Sequence, residues 1–397
     1  MADNTNIRVA LITCCKHEEI NIKEFIDYYQ NLGIDHIFLC DNNEHEYPVK
    51  LEDILGEYIS SGFVSVENFF GVDDIVHIFY DHVYFREKDN YDWFCIFDAD
   101  EFLTFHKKYN NIKDYLSDEN ISKADVIRIP SIQMTSQNMR LHPSAPNELL
   151  STYDIVSDHT KVKKEYKSNY IFLKSIIKSS DHIQRISLHN PFFIDNYKPY
   201  CIKFNGEVQS TEYAFVNHES LDKSIYGFRN YEQYKEKLFN TYYVCIRHYI
   251  CKSCDEYIDK LIRGIAWRSY IYSYQNSMIN INKNIIDYFR WSYNPMVHKL
   301  KDCIEIQTYL YDKYLKELTK IYMVNRDIFD KLYRDGTKML STTIDKIQKL
   351  SIDENTKKDI ADNLENVLSS CKQMNLKYSC LTHLYNYIKK TYYRPNE

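Results

Sequence analysis

Residues 93–102 read WFCIFDADEF, an apolar run followed at once by a group of acids. A run of this length and composition predicts a strand that is buried on both faces, as in a parallel sheet. Asp98 and Asp100 come directly after this strand with one residue between them, so their side chains are expected to point to the same side. The alternative is a solvated acidic turn without function. The apolar strand in front of the acids argues against that alternative.

The chain before this stretch alternates strand and helix patterns. Residues 9–12 and 36–40 are short apolar runs, which predict two further strands. Between them, a single helical face is formed by Ile22, Phe25, Ile26 and Tyr29. Gly33 follows where such a helix would end. The alternation predicts an α/β fold with a mostly parallel sheet and helices on both faces.

Polar side chains follow each of these strands. Thr13 and Glu18 come after the first, Asp41 after the second, and Asp98 and Asp100 after residues 93–97. Ligands of open α/β sheets bind outside the carboxyl ends of the strands, so these groups are expected to converge there. Paired carboxylates repel one another unless a cation lies between them, and their oxygens suit Mg²⁺ or Mn²⁺. Such a cation can bridge the phosphates of a nucleotide diphosphate.

The composition narrows the class of protein. A net charge of -6 and a pI near 6.2 argue against nucleic acid as a partner. The 11 cysteines are scattered, and the only C-x-x-C, Cys251 to Cys254, has no second pair to complete a zinc site. With no secretory signal in the sequence, this pattern predicts reduced thiols in the cytoplasm. No apolar run approaches the roughly 18 residues that a membrane span needs.

The pattern changes near residue 255. From there to residue 397 apolar residues recur at helical spacing and glycine almost vanishes. We therefore predict two domains, residues 1–254 and a helical region at residues 255–397. Residues 385–393 are rich in Tyr and Lys, which favours a helix face that packs on the rest of the protein. The alternative is peripheral contact with the inner face of a membrane.

Three stretches together resemble the GT-A fold glycosyltransferases of the family 2-like and family 92-like group. Residues 13–37 are similar to that group's opening strand, N-E turn and E-W-x-x-Y-H helix. Residues 93–102 are similar to its W-x-x-x-x-D-x-D-E-F motif, and residues 246–260 to H-Y-x-x-K-S-x-E-E-F-x-x-K. The resemblance implies a GT-A fold and transfer of a sugar from a nucleotide-sugar, with UDP as the expected nucleotide.

The resemblance also implies a metal site. Asp98 and Asp100 correspond to the acids of the D-x-D motif, and His248 to a histidine that completes the metal shell in many GT-A enzymes. Carboxylates combined with a neutral imidazole fit Mn²⁺, with Mg²⁺ as the other choice. The alternative for His248 is a structural histidine.

Other positions are implied to bind the nucleotide-sugar. The resemblance places Thr13 and Glu18 over the nucleotide, Asp98 beside the ribose, and Asp41 at the uracil or ribose. Lys252 is implied to meet the diphosphate, with a surface position as an equal alternative. His17 stands where the family has the asparagine of its N-E turn, so the contact of that asparagine is not carried over.

The resemblance implies an inverting reaction, which needs a base at the acceptor hydroxyl. Asp154 is our choice for this base, with Glu148 and Asp181 as rivals. His189 lies in a stretch similar to the family's H-x-P, and a core, acceptor-side or catalytic role is open for it. The expected acceptor is a glycan or lipid-linked glycan, in the synthesis of a surface polysaccharide.

Two other classes of function stay open. One is an inactive binding or scaffold protein on a GT-A fold, which is expected to have lost the metal acids. The other is a metal-dependent hydrolase or nucleotidyltransferase that uses the same metal site. The presence of Asp98, Asp100 and His248 argues against the first, and the stretch that begins at His248 favours glycosyl transfer over the second.

Overall fold

The structure is a computed structural model and describes residues 7–45, 47–72, 75–137, 139–142, 149–157, 170–226, 228, 230–263, 306, 309, 310 and 313. The chain divides into two units, one formed by residues 1–269 and 288–303, the other by residues 270–287 and 304–397. Every strand and helix named below belongs to the first unit. The boundary expected at residue 254 stays a prediction, and the helix that begins there lies within the first unit.

The first unit contains strands and helices in alternation. The strands are β1 (Val9–Cys15), β2 (His36–Asp41), β3 (Val64–Asn68), β4 (Trp93–Ile96), β5 (Glu101–Phe105), β6 (Val126–Gln133), β7 (Tyr170–Lys178), β8 (Ile183–Ile186), β9 (Pro191–Phe193), β10 (Cys201–Lys203), β11 (Val208–Gln209), β12 (His218–Ser220) and β13 (Val244–His248). The helices are α1 (Ile22–Leu32), α2 (Leu51–Ile54), α3 (Gly56–Ser60), α4 (Ile75–Glu87), α5 (Ile112–Leu116), α6 (Leu149–Thr152), α7 (Tyr231–Thr241) and α8 (Cys254–Arg263).

The central sheet has the strand order β11-β10-β6-β7-β4-β1-β2-β3. Strands β3, β2, β1 and β4 are parallel neighbours, as expected from the βαβ pattern. Strand β7 runs antiparallel between β4 and β6. Strand β13 pairs with both β5 and β6, and it carries His248 to a position opposite Glu101. The predicted α/β fold with a mostly parallel sheet is confirmed.

Both faces of the parallel strands are covered, which explains their continuous apolar sequences. In β1, Val9 and Leu11 belong to one apolar core, and Ala10 and Ile12 belong to the other. Helix α1 packs on the first core and α4 on the second. The predicted α1 face is buried, and Gly33 ends the helix at φ 95°, a left-handed conformation that glycine adopts without strain.

Several predictions concern residues outside the described ones. They include the helical region beyond Arg263, the Tyr- and Lys-rich segment at residues 385–393, and Glu148. Of the second unit, only residues 306, 309, 310 and 313 are described, and all of them are helical. Among the described helices, none combines the length and the apolar character needed to cross a membrane.

A buried arginine ties together the segments beside β7. Arg128 on β6 has no exposed surface, and its guanidinium donates to Ser175 Oγ and to the carbonyl oxygens of His189 and Val216. Strand β7, the β8–β9 turn and the segment before β12 are thereby joined at one point. Because these acceptors are neutral, the arginine acts by hydrogen bonding and not by ion pairing.

We expect Arg128→Met to lower the free energy of unfolding by about 3 kcal/mol, because it leaves buried carbonyl groups without donors. Urea unfolding followed by circular dichroism measures this change. Arg185→Met is the matched control, since Arg185 is 54% exposed. It is expected to change stability by less than about 0.5 kcal/mol. Equal stability of the two variants would show that Arg128 does not join these segments.

Candidate functional site

A cavity of about 570 Å³ lies at the carboxyl ends of β1 and β4. Polar residues that follow β1 and β4 in the sequence meet there, together with residues from β6, β7, β13 and α8. The lining includes Cys14, Lys16, Glu18, Asp98, Asp100, Glu101, Ser131, Gln133, Phe172, Lys174, His189, Asn217, His248, Lys260 and Arg263. Of the polar residues predicted to converge at this edge of the sheet, Glu18, Asp98 and Asp100 line the cavity.

The acidic stretch forms a tight turn between β4 and β5. The Glu101 amide donates to the Asp98 carbonyl oxygen, and the Asp98 amide donates to Glu101 Oε2, both at 3.0 Å. Lys174 of β7 reaches this turn, with its Nζ 2.7 Å from Asp98 Oδ2 and 3.1 Å from Glu101 Oε2. Burial raises the pKa of Glu101 even though Lys174 opposes this. Burial opposes protonation of Lys174, but Asp98 and Glu101 outweigh it and raise the pKa of the lysine.

Asp100 lies deeper than Asp98 and has two basic neighbours. Lys260 Nζ is 2.6 Å from its Oδ2, and His248 Nε2 is 3.4 Å from its Oδ1. Burial would raise the pKa of Asp100, but Lys260 and His248 outweigh it and hold that pKa well below its usual range. The other ring nitrogen of His248 lies 3.2 Å from Gln133 Nε2. Asp100 is therefore ionised. The His248 ring that it faces is positioned by Gln133 through its other nitrogen.

The donor set suits a divalent cation. Asp98, Asp100 and His248 line the same cavity, and their oxygen and imidazole donors are those that Mn²⁺ accepts. The 3.4 Å between Asp100 Oδ1 and His248 Nε2 is within the span of two ligands with bonds of about 2.1 Å to one ion. Asp98 is turned to Lys174 instead. Accordingly, the described residues contain no preformed group of three such ligands.

A second ion-paired group joins β1 to α8. Glu18 is 7% exposed and accepts from Lys252 Nζ at 2.7 Å and from Arg263 Nη2 at 2.5 Å. Arg263 Nη1 also donates to the His17 carbonyl oxygen at 2.7 Å. Burial would raise the pKa of Glu18, but Lys252 and Arg263 lower it to about 2. Glu18 therefore fixes the loop after β1 to α8, beside the cavity.

Two predicted nucleotide-binding residues are buried and do not line the cavity. Thr13 is fully buried within β1. Asp41 is also fully buried, and its carboxylate accepts from the Asn43 amide at 3.0 Å and the Leu51 amide at 3.3 Å. Burial raises the pKa of Asp41. Neither residue is among those that line the cavity, so their assignment to the nucleotide stays a prediction from the resemblance.

The structure places the described base candidates away from the cavity lining. Asp154 is exposed, and its Oδ1 accepts from Gln137 Nε2 at 3.2 Å. Asp181 is 85% exposed and pairs with Lys88. Glu148 lies outside the described residues. The choice of Asp154 as base therefore rests on the sequence alone.

His189 is another imidazole of the cavity, which is also lined by His77 and His248. Its Nδ1 lies 3.1 Å from the Leu173 carbonyl oxygen, which can only accept, so this nitrogen carries the proton in the neutral ring. Burial and then the Lys174 charge lower the pKa of His189 to about 4. At neutral pH the ring is uncharged, and Nε2 has a lone pair. Of the roles open for His189, its position in the cavity favours a functional one.

Sequence reasoning missed three basic residues. Lys260 is the last residue of the third motif, residues 246–260, so it carried a signal without a role. Lys174 lies on β7, outside the three motifs. Arg263 lies one turn beyond Lys260 on α8 and carried no signal. Each matters because it pairs with an acid that was singled out.

Comparison with known proteins gives a family. The sequence model of glycosyltransferase family 92 matches residues 15–294, more than half of the chain. Among solved structures, residues 1–349 of S. aureus TarS, described as a complex with UDP, match at a TM-score of 0.28 and 9% identity. The match covers 98% of this chain and 91% of that one. This likeness is too low to support an argument about ligands. No curated protein matches the chain.

We expect Glu18→Gln to destabilise the protein by about 3 kcal/mol at neutral pH, the value of a pKa lowered from 4.5 to about 2. Because the folded pKa lies below the unfolded one, this stability is present above about pH 4.5 and is lost as the pH falls towards 2. The variant should therefore show a shallower decline of melting temperature over that range. Glu119→Gln is the control, since Glu119 is 88% exposed. Parallel declines in wild type and Glu18→Gln would contradict this.

Proposed function

Because the chain belongs to glycosyltransferase family 92, we propose that it transfers a sugar from a nucleotide-sugar, a UDP-sugar, to a glycan or lipid-linked glycan. The observation that carries this proposal is the convergence of Asp98, Asp100 and His248 in one cavity at the carboxyl ends of the sheet. That edge is where open α/β sheets bind nucleotides. The family membership supports glycosyl transfer as the reaction.

We propose that the cavity binds Mn²⁺ or Mg²⁺ through Asp98, Asp100 and His248. When bound, such a cation supplies positive charge that neutralises the departing nucleoside diphosphate. Gln133 positions the ring of His248 and Lys260 keeps Asp100 ionised, while Asp98 would have to turn from Lys174 to join them. The hydrogen bonds between Asp98 and Glu101 fix the turn that carries both acids.

The β7 side of the cavity suits a carbohydrate acceptor. Tyr170, Phe172 and Lys174 follow one another on the same face of β7, because alternate residues of a strand share a face. Phe172 lines the cavity, and Tyr170 lies edge-on to His218 with ring centroids 4.6 Å apart. The C–H faces of a sugar pack on aromatic rings. This aromatic face supports a glycan acceptor that approaches along β7.

We propose an inverting reaction, in which a base takes the proton of the acceptor hydroxyl. The geometry favours His189 for this role over Asp154. His189 lines the cavity, is neutral, and has its proton on the nitrogen that faces Leu173. A pKa of about 4 makes it as strong a base as a carboxylate, the usual base of such reactions. Arg128 and Ser175 hold its backbone carbonyl group.

The two other classes of function predict different products. A hydrolase would release free sugar from the nucleotide-sugar at full rate without an acceptor, and a scaffold protein would release none. The retained acids of the turn and the basic residues that face them support an active enzyme. A role in surface polysaccharide synthesis in the cytoplasm, at the inner face of the membrane, belongs to the same proposal.

The first test is thermal stabilisation by UDP, GDP and UDP-sugars with and without Mn²⁺. A ligand that binds only the folded protein must raise the melting temperature, by about 3 °C or more at a hundredfold excess over Kd. We expect a shift with UDP that needs Mn²⁺ and is lost in Asp100→Asn. Asp181→Asn, at an exposed acid, is the control and should keep the shift. A shift that persists without Mn²⁺, or in Asp100→Asn, would contradict the proposed cation site.

The second test separates the two candidate bases. We expect His189→Gln to lower the turnover of sugar transfer by about a hundredfold or more, with the Mn²⁺-dependent affinity for UDP unchanged. Asp154→Asn should keep transfer within about twofold, because its carboxylate is exposed and does not line the cavity. Loss of transfer in Asp154→Asn together with normal transfer in His189→Gln would restore the assignment made from the sequence.

A further inference from the structure

Three basic residues at and before α8 pair with acids of the site, and they are held differently. The side chains of Lys252 and Arg263 are 9% and 11% exposed, and both pair with Glu18. Lys260 is 24% exposed, lines the cavity, and pairs with Asp100 at 2.6 Å. Lys260 is therefore the residue of the three whose partner belongs to the proposed cation site.

The pair between Lys260 and Asp100 conflicts with a cation at the same carboxylate. The Lys260 ammonium lies against Asp100 Oδ2, and a divalent cation on Asp100 would stand within a few ångströms of it. Like charges at about 4 Å repel by several kcal/mol at an effective dielectric constant of about 20. Lys260 would then have to leave Asp100. Its flexible four-carbon stem allows that movement, unlike the fixed fork of Arg263.

Resting on the proposed function, we propose that Lys260 is the residue that binds the diphosphate of the nucleotide-sugar. In the free protein Lys260 pairs with Asp100. With a cation held by Asp100, the Lys260 ammonium would be free to leave that carboxylate and to pair with a phosphate oxygen of the donor. The resemblance implies that Lys252 contacts the diphosphate. We assign this contact to Lys260 instead, because Lys252 already pairs with Glu18.

This exchange predicts effects of opposite sign in Lys260→Met. Mn²⁺ alone should bind severalfold more tightly than to wild type, because its competitor for Asp100 is gone. UDP in saturating Mn²⁺ should bind about ten- to a hundredfold more weakly, because a charge-assisted contact to phosphate is lost. Lys260→Arg keeps the charge and should recover part of the UDP affinity.

The experiment uses the full chain and two direct binding measurements. Free Mn²⁺ is titrated by electron paramagnetic resonance, and UDP is titrated by calorimetry in saturating Mn²⁺. Lys123→Met is the matched control, since Lys123 is 66% exposed and pairs only with Glu119 among the described residues. It should leave both affinities unchanged. Circular dichroism of each variant checks that the fold is kept.

The outcomes separate this inference from the proposed function. UDP affinity equal to wild type in Lys260→Met would overturn the role of Lys260 while the proposed function stands. A loss of both Mn²⁺ and UDP affinity would also overturn it, since it indicates that Lys260 only supports Asp100. If wild type binds neither UDP nor GDP with Mn²⁺, the proposed function fails and this inference fails with it.

Discussion

Carboxylates at the carboxyl-terminal edge of the sheet need basic side chains as partners. This requirement determines how the site is arranged. Asp100, Glu101 and Glu18 are buried in low-dielectric surroundings, where an unpaired charge costs several kcal/mol, and Asp98 beside them is 37% exposed. Each has a basic partner from a different part of the chain: Lys174 from β7, Lys260 and Arg263 from α8, and Lys252 from the loop before it. The pairs made by Lys260 and Arg263 therefore fix α8 to strand ends with which it shares no hydrogen-bonded ladder, and Lys174 adds an ion pair where β7 already runs beside β4.

The sheet topology makes these pairs possible. Strand β7 runs antiparallel beside β4, so Lys174 is near the end of β4 although it lies some way along the chain. Strand β13 inserts between β5 and β6, which places His248 opposite Glu101 and next to Asp100. A parallel β7 would carry its Lys174 in a different register, and the turn would lose its counter-ion. The antiparallel strand is thus part of the site as well as of the core.

The parallel half of the fold could be predicted from the sequence because its signals are local. These signals are the apolar runs of the strands, the helical spacing of apolar residues in α1, and Gly33 at the end of α1. Each of them can be read within a few residues of sequence. The acids after β4 were also predictable, because they follow directly on an apolar run that is typical of a buried strand. Lys174 and Lys260 were not, because their partners are far away in sequence and only the sheet order brings them together. Asp41 also lies at a strand end, but its carboxylate accepts from the Asn43 and Leu51 amides, and its role at the nucleotide stays a prediction.

A site whose charges already cancel favours one mode of loading. A divalent cation alone adds positive charge to a group of ion pairs that is near balance, and a nucleoside diphosphate alone adds negative charge. Each by itself therefore meets repulsion or leaves a buried partner unpaired, and both are costly in this environment. Cation and diphosphate together carry nearly opposite charges and restore the balance, with the lysine of α8 free to follow the phosphate. The electrostatics of the cavity would thus favour the joint binding of the proposed metal and donor over the binding of either one.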